Sequence, residues 1–170
     1  IGVQTCALPI CDLHEKSQHQ YGQYLNLCHF GSLANDRSLS IVMRAANTLF
    51  EKFPEARNHL RINAYGAPLD SLSQEAIHRY GFSDILLAHG RLERDPVTGI
   101  SGREKVAQKM QEADVLILLH GILLNHKIYI PLIDLIKNHF RVLAIDIPGF
   151  GLSKIKTDKK ILETDIYQAI

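Results

Sequence analysis

The sequence predicts an α/β protein, a three-layer α/β/α sandwich with a mostly parallel sheet of about five strands. Short apolar runs of strand length recur along the chain, and several end in glycine, which is typical of strands buried on both faces of a parallel sheet. Between these runs, apolar residues recur at helical spacing, so strand and helix alternate. The clearest run is Asp114–Gly121, in which five apolar residues precede His120 and Gly121. Repeated units of this kind imply right-handed crossovers.

Composition narrows the classes of function. Of the 170 residues, 46% are hydrophobic and 22% are charged, with a net charge of +1, so there is no electrostatic case for nucleic acid. No apolar run approaches the roughly 18–20 residues of a membrane span. The three cysteines form no disulfide framework, which predicts a reduced, cytoplasmic protein. The nine histidines are not spaced like the ligands of a metal ion, and neither a metal nor a cofactor is expected. The sequence does not indicate the oligomeric state.

The predicted strands and helices alternate through most of the chain. The strands are Tyr24–Phe30, Leu60–Tyr65, Asp84–His89, Asp114–Leu119 and Phe140–Asp146. The first predicted helix is capped by Asn35 or Asp36 and stopped by Pro54, and the second is Ser73–Tyr80, capped by Asp70 or Ser71. The third is capped by Ser101, and the fourth is Tyr129–Asn138. We expect a sharp turn over residues 147–153, an exposed basic stretch over 154–160 and the start of a helix over 163–170.

In sheets of this kind function lies at the carboxyl ends of the strands. Gly31 ends the first strand before a predicted helix, an arrangement that can turn backbone N–H groups towards a phosphate. Arg37, expected in the first turn of that helix, would add a positive charge. His89, Gly90 and Arg91 follow the third strand and are candidates for contact with a ligand. The alternatives are simple turn chemistry at Gly31 and a solvated loop after His89.

Four segments in order resemble the C-terminal, nucleotide-sugar-binding half of a family 4 glycosyltransferase of the GT-B fold, with two Rossmann-like domains. They are Cys28–Leu39, Ile62–Gly66, His89–Glu93 and Met110–Gly121, and the resemblance covers about residues 24–121. It implies a nucleotide-sugar partner whose diphosphate lies against Gly31 and Arg37. The chain departs from the family pattern at Ser32-Leu33, where a basic residue is usual. It also departs at Tyr129–Asp134, after which the family's acidic pair is missing.

The end of the sequence resembles the N-terminal part of an α/β-hydrolase over about residues 115–170. The resemblance rests on a strand ending in His120-Gly121 and on the motif Asp146–Ser153. It implies that the backbone N–H of Ile122 contributes to an oxyanion hole, with His120 and Gly121 shaping the loop, and that Asp146–Ser153 shapes a turn. The nucleophile motif Gly-x-Ser-x-Gly is absent from the sequence. His126 and His139 are expected to be exposed.

The organisation expected from these resemblances is a hybrid. Residues 1–23 form a non-native or disordered leader, in which Gly2–Ile10 resembles a translated sequencing adapter; the alternative is a frayed native N-terminus. Residues 24–121 and 115–170 overlap in one shared strand. The prediction is an inactive, chimeric enzyme fragment, mainly of glycosyltransferase origin. The alternatives are a hydrolase fragment without its triad, a glycosyltransferase with a divergent tail, and a non-catalytic nucleotide-binding module near Gly31 and Gly90.

Overall fold

The computed structural model describes residues 23–153. The adapter-like stretch 2–10, the basic stretch 154–160 and the predicted helix 163–170 lie outside the described residues, as does nearly all of the predicted leader.

The described chain forms one parallel sheet of five strands. These are β1 (Leu25–Gly31), β2 (Leu60–Gly66), β3 (Leu86–Gly90), β4 (Val115–Leu119) and β5 (Arg141–Ile145). Their order across the sheet is β3-β2-β1-β4-β5, and every neighbouring pair runs parallel. The predicted fold class and all five predicted strands are thereby confirmed, with ends that differ by at most two residues.

Helices cover both faces of the sheet. They are α1 (Ser40–Lys52), α2 (Ser71–Tyr80), α3 (Gly102–Gln111) and α4 (Ile130–Ile136), with short 3-10 turns at Pro54–His59 and His126–Tyr129. Side chains of α1 and α2, among them Met43 and Ala76, form one core with Ile62 and Ile117. On the opposite face, side chains of α3 and α4 form a second core with Leu116 and Phe140. The molecule is therefore a three-layer sandwich.

Two helix starts agree with the sequence. The Asp70 carboxylate accepts a hydrogen bond from the backbone N–H of Ser73 and caps α2, which ends at Gly81 in the left-handed conformation. Ser101 and Glu104 form a reciprocal capping box at the start of α3.

The start of α1 differs from the prediction. Neither Asn35 nor Asp36 caps it, because Ala34 and Arg37 exchange two backbone hydrogen bonds and hold that segment in a separate turn. The helix begins only at Ser40, whose backbone N–H donates to the Ser38 hydroxyl. Arg37 consequently lies before the helix rather than in its first turn. The last helix is also shorter than predicted, because a 3-10 turn precedes it and Pro131 lies at its start.

Candidate functional site

The strand order creates a switch point between β1 and β4. The chain moves outward from β1 to β3 and then returns to place β4 on the other side of β1. The loops that follow β1 and β4 therefore diverge at the carboxyl edge of the sheet, where open α/β sheets place their ligands. The candidate residues Gly31, Arg37, His120, Gly121 and Ile122 all belong to these two loops or strand ends.

Three neighbouring strands end in glycine, at Gly31, Gly66 and Gly90. We call this part of the carboxyl edge of the sheet the glycine edge. Gly31 pairs in register with Gly66, and Gly90 lies opposite Tyr65. The φ angles are 142° at Gly31, 142° at Gly66 and 67° at Gly90, values that side chains rarely allow. A Cβ on Gly66 would overlap the Gly31 carbonyl oxygen. At Gly66 that space is filled by the neighbouring strand, whereas Gly31 and Gly90 present backbone that a ligand can approach closely.

Aromatic rings line the sheet immediately before the glycine edge. Phe30 and Tyr65 stack with ring centroids 4.9 Å apart, and Tyr65 and His89 stack at 4.4 Å. His89 Nε2 lies 2.8 Å from Asn63 Oδ1, a hydrogen bond that requires the proton on Nε2. Desolvation of His89, followed by the charge of Lys109, lowers its pKa. Desolvation raises the pKa of Tyr65 to about 12. His89 thus offers a largely neutral, exposed ring beside Gly90.

His29 is a site residue that sequence reasoning missed. It is 5% exposed and projects from β1 two positions before Gly31. Its Nδ1 donates to the Ile117 carbonyl oxygen at 3.1 Å, and its Nε2 is buried with no hydrogen-bond partner within residues 23–153. Desolvation, opposed by the bond to Ile117 and reinforced by Arg37, lowers the pKa of His29. The available signal was a titratable side chain two residues before the glycine that ends β1.

The two loops at the switch point are tied together by Asp36. Its Oδ2 accepts a hydrogen bond from the backbone N–H of Ile122 at 3.3 Å and lies 3.8 Å from Arg37 Nε. The Ile122 N–H, expected from the hydrolase resemblance to serve an oxyanion hole, is therefore already engaged by a carboxylate. Arg37 remains close enough to the switch point to influence the electrostatics of His29.

A second polar cluster surrounds Asp146, directly after β5. Asp146 accepts from the backbone N–H groups of His126 at 2.6 Å and Leu152 at 2.9 Å, and from His126 Nδ1 at 2.7 Å. The Ser153 hydroxyl donates to the Asp146 carbonyl oxygen at 2.7 Å. Burial raises the pKa of Asp146, but the bonds from Leu152 and His126 outweigh it and leave the pKa below its usual value. The cluster folds the 147–153 turn against the loop after β4.

His120 completes this cluster from β4. It is fully buried, and its Nε2 accepts a hydrogen bond from the backbone N–H of Ile147 at 3.1 Å. The proton therefore lies on Nδ1, which donates to the Gly121 carbonyl oxygen at 2.9 Å. These two hydrogen bonds connect the loop after β4 to the turn after β5. His126 and His139 were both expected to be exposed, and both are half-buried; the His126 ring contacts the Asp146 carboxylate.

The remaining candidates stay apart from both clusters. Arg91 is exposed after β3, and His139 is half-buried beside Phe140. Within residues 23–153 no three His, Cys, Asp or Glu side chains are arranged to hold a metal ion. No helix in the same range is long and apolar enough to cross a membrane.

Residues 114–169 match the family model of the alpha/beta hydrolase fold. The match begins one residue before β4, spans about a third of the chain, and coincides with the portion that resembles an α/β-hydrolase. No curated protein sequence matches the chain.

The fold is also similar to a solved structure. This is a mutant of TarM from S. aureus in complex with fondaparinux, alpha-GlcNAc-glycerol and UDP. The TM-score is 0.50 at 15% sequence identity, and the alignment covers 92% of this chain and 29% of that protein. At this identity the similarity shows the fold alone, and the chain spans less than a third of that protein's length.

Proposed function

We propose that the glycosyltransferase-like portion, residues 24–121, binds the diphosphate of a nucleotide sugar at the glycine edge without transferring the sugar. The observation that carries this proposal is the row of three strand-ending glycines, of which Gly31 adjoins the switch point. Bare backbone at such an edge lets N–H groups approach phosphate oxygens. Arg37 and Arg91, in the loops after β1 and β3, supply the positive charge that a diphosphate needs.

Transfer is not part of the proposal, because the chemistry it would need is missing. In the glycosyltransferase family an acidic pair follows the fourth strand, and here Tyr129–Asp134 stands in that place. Tyr129 instead donates its hydroxyl to the Leu119 carbonyl oxygen at 2.6 Å, which fixes the chain behind β4. The solved structure of similar fold is a complex with UDP, which makes UDP a suitable first ligand to test.

Calorimetric titration tests the binding proposal. UDP, UDP-glucose and GDP-mannose are titrated into the wild-type chain and into the Arg37→Met, Arg91→Met and Arg103→Met variants. Arg103 is an exposed residue of α3 and serves as the matched control. We expect the first two substitutions to weaken binding about tenfold, the value of one charge-assisted hydrogen bond, and the control to leave it unchanged. Absence of heat with all three ligands contradicts the proposal.

We also propose that residues 115–170 derive from an α/β-hydrolase and meet the glycosyltransferase-like portion in β4, as a chimeric fragment. The family match that starts at residue 114 supports this boundary. The hydrolase-derived portion is inert in this proposal, because Asp36 engages the Ile122 N–H and no Gly-x-Ser-x-Gly motif is present. Hydrolysis of p-nitrophenyl acetate above a buffer blank contradicts inertness. Continuous long-read coverage of codons 112–124 in the parent genome contradicts the chimera.

The cysteine pattern supports a cytoplasmic location as part of the same proposal. Cys28 is buried within the second core, and the sequence offers no disulfide framework.

A further inference from the structure

A cavity of about 450 Å³ lies between α1, α2 and the turn that follows β5. Its apolar wall includes Ile41, Leu72, Ile147 and Phe150. The volume is within the range of roughly 300–1,000 Å³ that is typical of small-molecule sites. The cavity is therefore large enough for a compact organic molecule with a flat apolar body.

Arg44 of α1 lines this cavity and carries the unmatched charge within it. Its Nε is buried with no hydrogen-bond partner among residues 23–153, and no carboxylate of that range lies within ion-pair distance of it. Arg44 as a whole is half-buried, but a buried Nε–H without an acceptor is unfavourable. A ligand that supplies an acceptor to Arg44 would remove this penalty.

The other charged groups of the cavity already have partners. Glu75 accepts from Arg79 at 2.5 Å, one helical turn away on α2. Asp36 accepts from the Ile122 N–H and lies beside Arg37. The charges of the lining residues sum to zero, with Arg44 and Arg79 against Asp36 and Glu75. Among these four, Arg44 is the one without an ion-pair partner in residues 23–153, so an anionic group of the occupant would be favoured beside Arg44.

We propose that this cavity binds a monocarboxylic acid with an aromatic or compact apolar body. The carboxylate bonds to the guanidinium of Arg44, whose planar fork matches two carboxylate oxygens. The apolar body packs against Ile147 and Phe150. This cavity lies between α1, α2 and the loops after β1, β4 and β5, and it takes a different class of ligand from the nucleotide proposed for the glycine edge.

Paired probes that differ only in charge test the site. 1-Naphthoate and its neutral isostere 1-naphthamide are titrated into the full chain and followed by fluorescence. We expect the dissociation constant of naphthoate to be at least about tenfold lower than that of naphthamide, the difference that one hydrogen bond to a charged group produces. Arg44→Met should abolish this preference, Arg44→Lys should keep part of it, and Arg103→Met should leave it unchanged. Equal affinity for both probes, or no binding of naphthoate, overturns the proposal.

Location is checked independently of the variants by NMR. The naphthalene ring shifts nearby methyl resonances, so naphthoate should move those of Ile41 and Ile147 in the wild-type chain. Shifts confined to methyl groups of the opposite core, such as those of Ile136, would place the probe elsewhere and contradict the proposed site. Circular dichroism of each variant separates loss of binding from loss of fold.

Discussion

Replacement of Gly66 by alanine should destabilise the protein far more than the loss of one hydrogen atom suggests. Gly66 has φ 142°, and an added Cβ would overlap the carbonyl oxygen of Gly31 on the neighbouring strand. Strain at such a backbone conformation costs about 1–3 kcal/mol. Moving the end of β1 away from the new methyl group costs about 1–3 kcal/mol more, as for other overpacked sites. The expected loss in the free energy of unfolding is therefore about 2–6 kcal/mol.

Gly81→Ala provides the matched control. Gly81 also has a positive φ, 67°, but nothing lies within 4 Å of the position that its Cβ would take. Its substitution should cost only the left-handed backbone term, about 1–2 kcal/mol. Urea unfolding followed by circular dichroism measures both variants against the wild type. Equal losses for the two variants would refute the close approach of Gly66 to Gly31.

Other substitutions test separate parts of the structure. Gly151→Ala should lower the free energy of unfolding by about 2–4 kcal/mol in urea, because its Cβ would overlap the Asp146 carboxylate and loosen the bonds to it; an unchanged midpoint contradicts that contact. Since burial lowers the pKa of His29 below its ordinary 6.5, stability is fully present above that pH and falls as the pH drops towards the folded pKa. His29→Phe should flatten this fall, and identical pH profiles would show that His29 does not titrate as described. Ser101→Ala should cost about 1 kcal/mol through loss of the α3 cap, and no change in urea midpoint would argue against the capping box.

The parts of the fold that could be predicted are those whose signals are local. Strand ends could be predicted because Gly31, Gly66 and Gly90 each close a segment of strand length that is rich in apolar residues. The start of α3 could be predicted because Ser101 and Glu104 are three residues apart and cap the helix through local hydrogen bonds alone.

The features that escaped prediction depend on distant partners. The start of α1 is fixed partly by the Ser73 hydroxyl, which accepts from the Leu39 N–H across 34 positions of sequence. The engagement of Ile122 by Asp36 spans 86 positions, and the contact of His126 with Asp146 spans 20. No periodicity or motif encodes such pairings, because they arise only once the sheet has brought the loops together.

The pairing of β1 with β4 has a consequence for biosynthesis. Leu27 and His29 of β1 meet Val115 and Ile117 of β4, 88 residues further along the chain. At ribosomal speeds of about 5–20 residues per second, β4 is synthesised on the order of 10 s after β1, and until then the β1 edge that pairs with β4 has no partner. During that interval the nascent β1-β2-β3 unit exposes an unpaired backbone edge next to apolar side chains, a template for pairing with other chains. Chaperone capture on the ribosome would protect the polypeptide until β4 emerges.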